Sequence, residues 1–144
     1  MAKQARTVYL VSCVSKKKAV RAPARDLYTS AWFIKARAYV ERSGSTWFIL
    51  SAQHGLVRPE KIMAPYEQTL NAMSRREREA WAARVISQLK AALPATDRIV
   101  VLAGVRYREF IMAYLRQQAR RVEVPMARLG IGKQLRYLSK VRAP

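Results

Sequence analysis

Short apolar runs of strand length recur along the chain with helical patterns between them, and this alternation limits the fold more than any other feature. TVYLVS (7–12) is rich in β-branched and aromatic residues, TWFILSA (46–52) is a second such run, DRIVVLAG (97–104) a third and RVEVP (121–125) a short fourth. The third is apolar without alternation, as suits a strand covered on both faces of a parallel sheet. Between the first two, a polar loop over 13–28 leads to a helix over 30–42, with Phe33, Ala36, Arg37 and Val40 on one side and Gly44 as the stop beyond it. Ser74 with Glu77 three residues later forms a capping box for a long helix. In that helix Trp81, Val85, Leu89 and Ala82, Ile86, Leu93 repeat at helical spacing, Arg75, Arg78, Arg84 and Lys90 lie off the stripe, and Pro94 closes it. A helix over 105–118 gathers Phe110, Ile111, Tyr114 and Leu115, and GIGKQLRYLSKV (130–141) forms the last.

Strand and helix thus alternate four times, which predicts an α/β fold: one Rossmann-like three-layer domain over 1–144 with a mainly parallel sheet of about four strands. No Gly/Ser linker or internal repeat divides the 144 residues, and 51% of them are hydrophobic, enough for one core. The opening MAKQARTVYLVSC is too briefly apolar for a secretory core or a membrane span. One Cys excludes an internal disulfide and fits a reducing cytoplasm. With one Cys and one His, no structural-zinc ligand set exists and no metal or cofactor is implied. Nothing demands a partner chain, so a monomer is expected.

Charge narrows the partners. Lys and Arg number 28 against 9 Asp and Glu, a formal net charge of +19. Such an excess repels itself in a compact state and is usually retained for a polyanion, of which DNA or structured RNA is the commonest. Codon bias in a GC-rich genome, which enriches Arg and Ala, is the competing origin.

In open α/β sheets ligands sit beyond the carboxyl ends of the strands. Those ends are here Ser12 and Cys13, Ser51 through Gly55, Ala103 and Gly104, and Pro125 onward. Cys13 at a loop start beside SKKK has the surroundings of a reactive thiol; a small buried hydrophobe is the other role for a lone cysteine. His54, the single imidazole, would serve as general acid or base, or as a hydrogen-bonded structural residue. Cys13 and His54 would suit a nucleophile and its base, although no spacing signature marks them. Asp26, in a segment otherwise basic, would act as an acid/base, a base-edge acceptor, a counter-ion or a helix cap. GIGKQ (130–134) at a helix start offers amide donors and Lys133 to an anion, without the long loop of a true phosphate-binding motif.

Two segments carry a resemblance. VSCVSKKKAVRAPARDLYTSAWFIKARAY resembles the opening of a family of small bacterial and phage domains whose pattern runs Cys, Lys, Pro-Ala, Asp-Leu-Tyr and then an aromatic at the helix start. This first segment is also distantly similar to the Cys-Ser-x-Lys-Lys region of the archaeosine synthase central domain, which acts on a 7-deazaguanine base in tRNA. ILSAQHGLVRPEKIMAPYEQTL resembles the YGLLRP…PY segment of the YaaA family of peroxide-stress DNA-binding proteins. The resemblance implies a shared pocket of Cys13, Lys17, Asp26, Tyr28, Gly55, Pro65 and Tyr66, with Lys16 able to replace Lys17. These relatives often place Tyr where His54 stands, which makes His54 a pocket wall able to stack or donate rather than an indispensable base.

Together these features predict a nucleic-acid-binding enzyme that removes a nucleobase or modifies one of 7-deazaguanine type. Cys13, Lys17 and Asp26 would be catalytic. Ser12, Tyr28, Ser51, His54, Gly55, Tyr66, Gly104 and Gln134 would hold the base, and Lys16, Lys18, Arg21, Arg58, Arg106 and Lys133 the phosphates. A non-catalytic DNA-binding domain of a stress response or mobile element, and an enzyme for free nucleotides, are the alternatives.

Overall fold

The computed structural model describes residues 6–13 and 16–140. Strand β1 (Thr7–Ser12) leads through a short β2 (Ala22–Pro23) and a one-turn α1 (Ala24–Leu27) to α2 (Ala31–Ser43). A hairpin of β3 (Thr46–Ser51) and β4 (Gly55–Val57) follows, then β5 (Ile62–Met63), α3 (Arg75–Ala92) and β6 (Arg98–Leu102). The chain closes with α4 (Val105–Arg108), α5 (Met112–Gln118), β7 (Arg121–Glu123) and α6 (Ile131–Leu138). No helix among the described residues is long and apolar enough to cross a membrane.

The main sheet has five strands in the order β4-β3-β1-β6-β7, parallel throughout except for β4, which runs antiparallel to β3. β1 is central: Tyr9 stands opposite Trp47 of β3 and Val100 of β6. From β1 the chain moves outward to β3, then returns to the other side of β1 to lay down β6, so the order reverses between β1 and β6. The apolar runs read from the sequence fill the interior. Leu10 and Val11 of β1, Phe48 to Leu50 of β3 and Ile99 to Leu102 of β6 are buried, together with Phe33, Ala36, Tyr39 and Val40 of α2 and Trp81, Ala82, Val85 and Leu89 of α3. Burying a large apolar side chain contributes roughly 1.5–3 kcal/mol, so the sheet is fixed by its inward faces rather than by its edges.

Two predicted helix ends form: Gly44 in the left-handed region (φ 70°) closes α2, and Ser74 and Glu77 exchange both bonds of a capping box. Ser30, expected as the first helical residue, instead caps α2 through its side chain. Elsewhere the structure revises the expectations. The sheet has five strands rather than about four, because GLV after His54 turns back along β3; three residues are too few to show periodicity. The loop expected over 13–28 contains β2, which pairs with β5, and α1; its residues 14 and 15 lie outside the described residues, as does Val141 of the last expected helix. The helix expected over 105–118 is broken at 109–111, where Glu109 pairs with Arg78 at 3.0 Å and Ile111 enters the core.

The β3–β4 turn depends on one glycine. Gly55 has φ 73°, and a Cβ there would overlap the side-chain amide of Gln88. That amide donates to the His54 carbonyl and accepts the Leu56 N–H, fastening the hairpin to α3. Gly55→Ala therefore both strains the backbone and displaces the Gln88 bridge, and is expected to lower stability by about 2 kcal/mol in urea unfolding; an unchanged midpoint would contradict this account of the turn.

Candidate nucleobase crevice

The reversal between β1 and β6 opens a crevice at their carboxyl ends, a cavity of about 450 Å³. Ser12 and Cys13 from the end of β1 meet Gly104, Arg106 and Tyr107 from the segment after β6, and α2 and α6 close the sides with Trp32 and Gln134. Cys13 is 5% exposed, and its N–H still bonds the Leu50 carbonyl at 3.0 Å, extending the β1–β3 ladder by one residue. The ladder fixes the sulfur position from the backbone.

Phenols surround that sulfur. Tyr107 Oη lies 3.4 Å from Cys13 Sγ, and Tyr66 Oη donates to it at 3.6 Å. Tyr66 Oη also accepts from Ser51 Oγ at 2.8 Å and lies 2.6 Å from Tyr28 Oη. A phenol has one proton. Since that of Tyr66 points to sulfur, Tyr28 donates to Tyr66. Ser51 Oγ, having given its proton to Tyr66, accepts the His54 N–H at 3.1 Å. The chain of hydroxyls is thus ordered and ends on Cys13. Burial pushes the Tyr28, Tyr66 and Tyr107 phenols up, and the neighbouring Cys13 pushes in the same direction. All three remain O–H donors across the neutral range.

Trp81 supports the cluster from beneath: its indole N–H donates to the Ser51 carbonyl at 2.9 Å, and its ring meets Tyr107 edge to face. A second cavity of about 520 Å³, bordered by Lys17, Lys18, Pro65, Tyr66 and Thr69, adjoins the crevice, with Thr69 lining both. The Lys17 ammonium sits 4.4 Å from the Tyr66 ring centre and 5.8 Å from that of Tyr28.

The residues singled out in the sequence therefore divide. Ser12, Cys13, Gly104, Arg106 and Gln134 line the crevice; Tyr28, Ser51 and Tyr66 form the hydroxyl chain behind it; Lys17 and Lys18 border the adjoining cavity with Tyr66. His54 joins the cluster edge-on to Tyr66, at 5.6 Å between centres, and its backbone N–H goes to Ser51, while the groups on the thiol are the Tyr66 and Tyr107 phenols. Asp26 lies apart. Its carboxylate is bound by Arg37, which holds it below the usual carboxylate range, and it borders a third cavity with Arg25 and Glu41. Gly55 faces Gln88. Lys16 and Arg21 are exposed, Arg58 lies over the Phe48 ring, and Lys133 is exposed on the first turn of α6.

Trp32, Thr69 and Tyr107 were not among the expected residues. Trp32 had a signal, an aromatic just inside a capped helix. Tyr107 had none, because its approach to Cys13 depends on the β1–β6 pairing across 94 positions.

Residues 8–140 match the model of a family of unknown function (DUF6884). The chain belongs to that family. No curated protein matches it. The match runs from the second residue of β1 through α6, so both walls of the crevice and the whole described hydroxyl chain lie within the family domain.

Because His54 is the single imidazole, its titration is a direct probe of the cluster. Burial lowers its pKa from the ordinary 6.5, and the charges of Lys61 and Arg84 act in the same direction. The folded protein thus resists protonation more than the unfolded chain does, and this contribution to stability is present above about pH 6.5 and lost as pH falls. NMR titration of His54 is expected to give a midpoint below 6.5; a midpoint at 6.5 would place open solvent at the ring, and one above it a carboxylate.

Proposed function

We propose that this protein is a nucleic-acid-binding enzyme that takes a nucleobase into the β1–β6 crevice and modifies it through Cys13. The observation that carries this reading is the thiol itself, held by the Tyr66 and Tyr107 hydroxyls at the floor of a cavity of about 450 Å³, within the size range of small-ligand sites. Right-handed crossovers from β1 to β3 and from β3 to β6 would put α2 and α3 on opposite faces of the sheet, the three-layer Rossmann-like arrangement in which such crevices bind nucleotides. The net charge of +19 supplies the attraction to phosphates, with Arg106 at the rim and Lys17 and Lys18 in the adjoining cavity. The resemblance to YaaA and to the archaeosine synthase domain points the same way, toward DNA or structured RNA and a base of 7-deazaguanine type, in a reducing cytoplasm that keeps Cys13 a thiol.

The chemistry is an addition. The Cys13 sulfur bonds to an electrophilic carbon of the base or its substituent, the C–N π electrons move to nitrogen, and the thiol proton is transferred to that nitrogen. The phenols hold the sulfur in line throughout. Base removal is supported less, because Asp26, the acid it requires, is paired with Arg37 and borders another cavity. A non-catalytic binding domain has one observation in its favour, the burial of Cys13 with hydrogen-bond partners already in place.

Incubation with genomic DNA, tRNA and phage DNA containing modified bases, followed by nucleoside mass spectrometry, separates these readings. The enzyme alters one nucleoside pool, Cys13→Ala abolishes the change, and the DNA affinity of that variant remains within about twofold, falling log-linearly with salt. No altered pool with any substrate would leave a binding domain.

A further inference from the structure

The walls of the crevice are specific about the ligand they suit. Trp32 is the second residue of α2 and packs partly against the core. Its indole N–H donates to Gln134 Oε1 at 2.9 Å, and Gln134 Nε2 donates in turn to the Leu129 carbonyl at 2.7 Å. Each end of the amide thus has a partner in the protein, one the indole and the other the backbone before α6. Gln134 is in this way a positioning residue, which sets the plane of the indole.

Trp32 lines two cavities, the crevice over Cys13 and an inner one of about 210 Å³ bordered by Val101, Val124 and Met126. With its single polar atom bound to Gln134, the indole has only apolar ring left to line the crevice. Two further lining residues are apolar and open to solvent: Val105 is 57% and Ile131 64% exposed, two of the five large hydrophobic side chains so exposed among the described residues. Exposed apolar side chains that share one rim with an indole suit a flat ligand. Arg106 on the same rim suits an anion attached to it.

We propose that Trp32 is the stacking wall of the crevice and selects a planar heteroaromatic ring, the base of a nucleotide whose phosphate meets Arg106. This rests on the nucleic-acid reading above but not on any catalysis by Cys13. It also assigns to Gln134 a positioning part, since freeing the indole would weaken the stack.

The test uses the full chain and two DNA probes, a mixed-sequence single-stranded 12-mer and a 12-mer of deoxyribose phosphate lacking all bases. Wild type is expected to prefer the base-bearing strand by about tenfold, the scale of one base–aromatic stack. Trp32→Phe keeps most of that preference, Trp32→Leu loses it while binding the base-less strand as wild type does, and Gln134→Leu loses part of it. A structural role alone would move both affinities together, and the ratio between the probes would stay constant. If wild type prefers bases and Trp32→Leu retains the preference, the stacking role is overturned and the nucleic-acid reading survives. If wild type binds both probes equally, no base enters the crevice and both fail.

Discussion

Strand β1 is hydrogen-bonded to a parallel neighbour on each side, and the rest of the molecule depends on that double pairing. Its register against β3 and β6 determines which residues arrive together at the carboxyl edge: Ser12 and Cys13 from the centre, Ser51 from one flank and the Gly104 segment from the other. A slip of one residue in either ladder would move Leu10 to the other face of the sheet, against the wrong neighbours, and displace Cys13 along the carboxyl edge with it. Stability and site are thus fixed by one alignment. The reversal of strand order at β1 then supplies the opening, since the chain leaves β1 toward β3 and β6 toward β7, in opposite directions, and leaves the space between their ends uncovered.

At that edge the constraint becomes one of proton bookkeeping. Tyr28, Ser51, Tyr66 and Tyr107 are inward-facing hydroxyl residues in a protein of +19, and burying them costs unless each proton finds an acceptor. The arrangement meets that demand in one sense only, with Ser51 and Tyr28 giving to Tyr66 and Tyr66 to sulfur. No buried side-chain nitrogen or oxygen among the described residues lacks a partner. A network satisfied in this way is rigid. It holds Cys13 by several elements at once, β1, α4 and the segment that carries Tyr66.

Much of this was legible in the sequence, for reasons that are local. The strands announce themselves through β-branched runs, α2 through its Gly44 stop and α3 through its Ser74–Glu77 capping box, so the mainly parallel α/β frame follows from short windows. The hairpin at Gly55 was hidden because β4 is three residues long, and the break before α5 because the apolar spacing of Ile111 and Leu115 is preserved across it. Of the long-range partners of Cys13, Tyr66 came from the family resemblance alone and Tyr107 from nothing in the sequence. Nothing near Cys13 in the chain announces Tyr107 or Tyr66. Asp26, a lone acid in a basic segment, pairs with Arg37 one helix away, the counter-ion role among those open to it in the sequence.

The central claim is that a base of a bound nucleic acid reaches Cys13. Because Cys13 is the only cysteine in the chain, disulfide trapping tests this without knowledge of the reaction. DNA oligonucleotides carrying a base with a short disulfide tether are incubated with the protein, and the conjugate is measured on a non-reducing gel. The account predicts a conjugate in high yield that disappears with Cys13→Ser and is suppressed by excess untethered DNA. Tight binding of the same oligonucleotides with no conjugate at any tether length would show that nucleic acid occupies the basic surface while the crevice stays empty, and would contradict it.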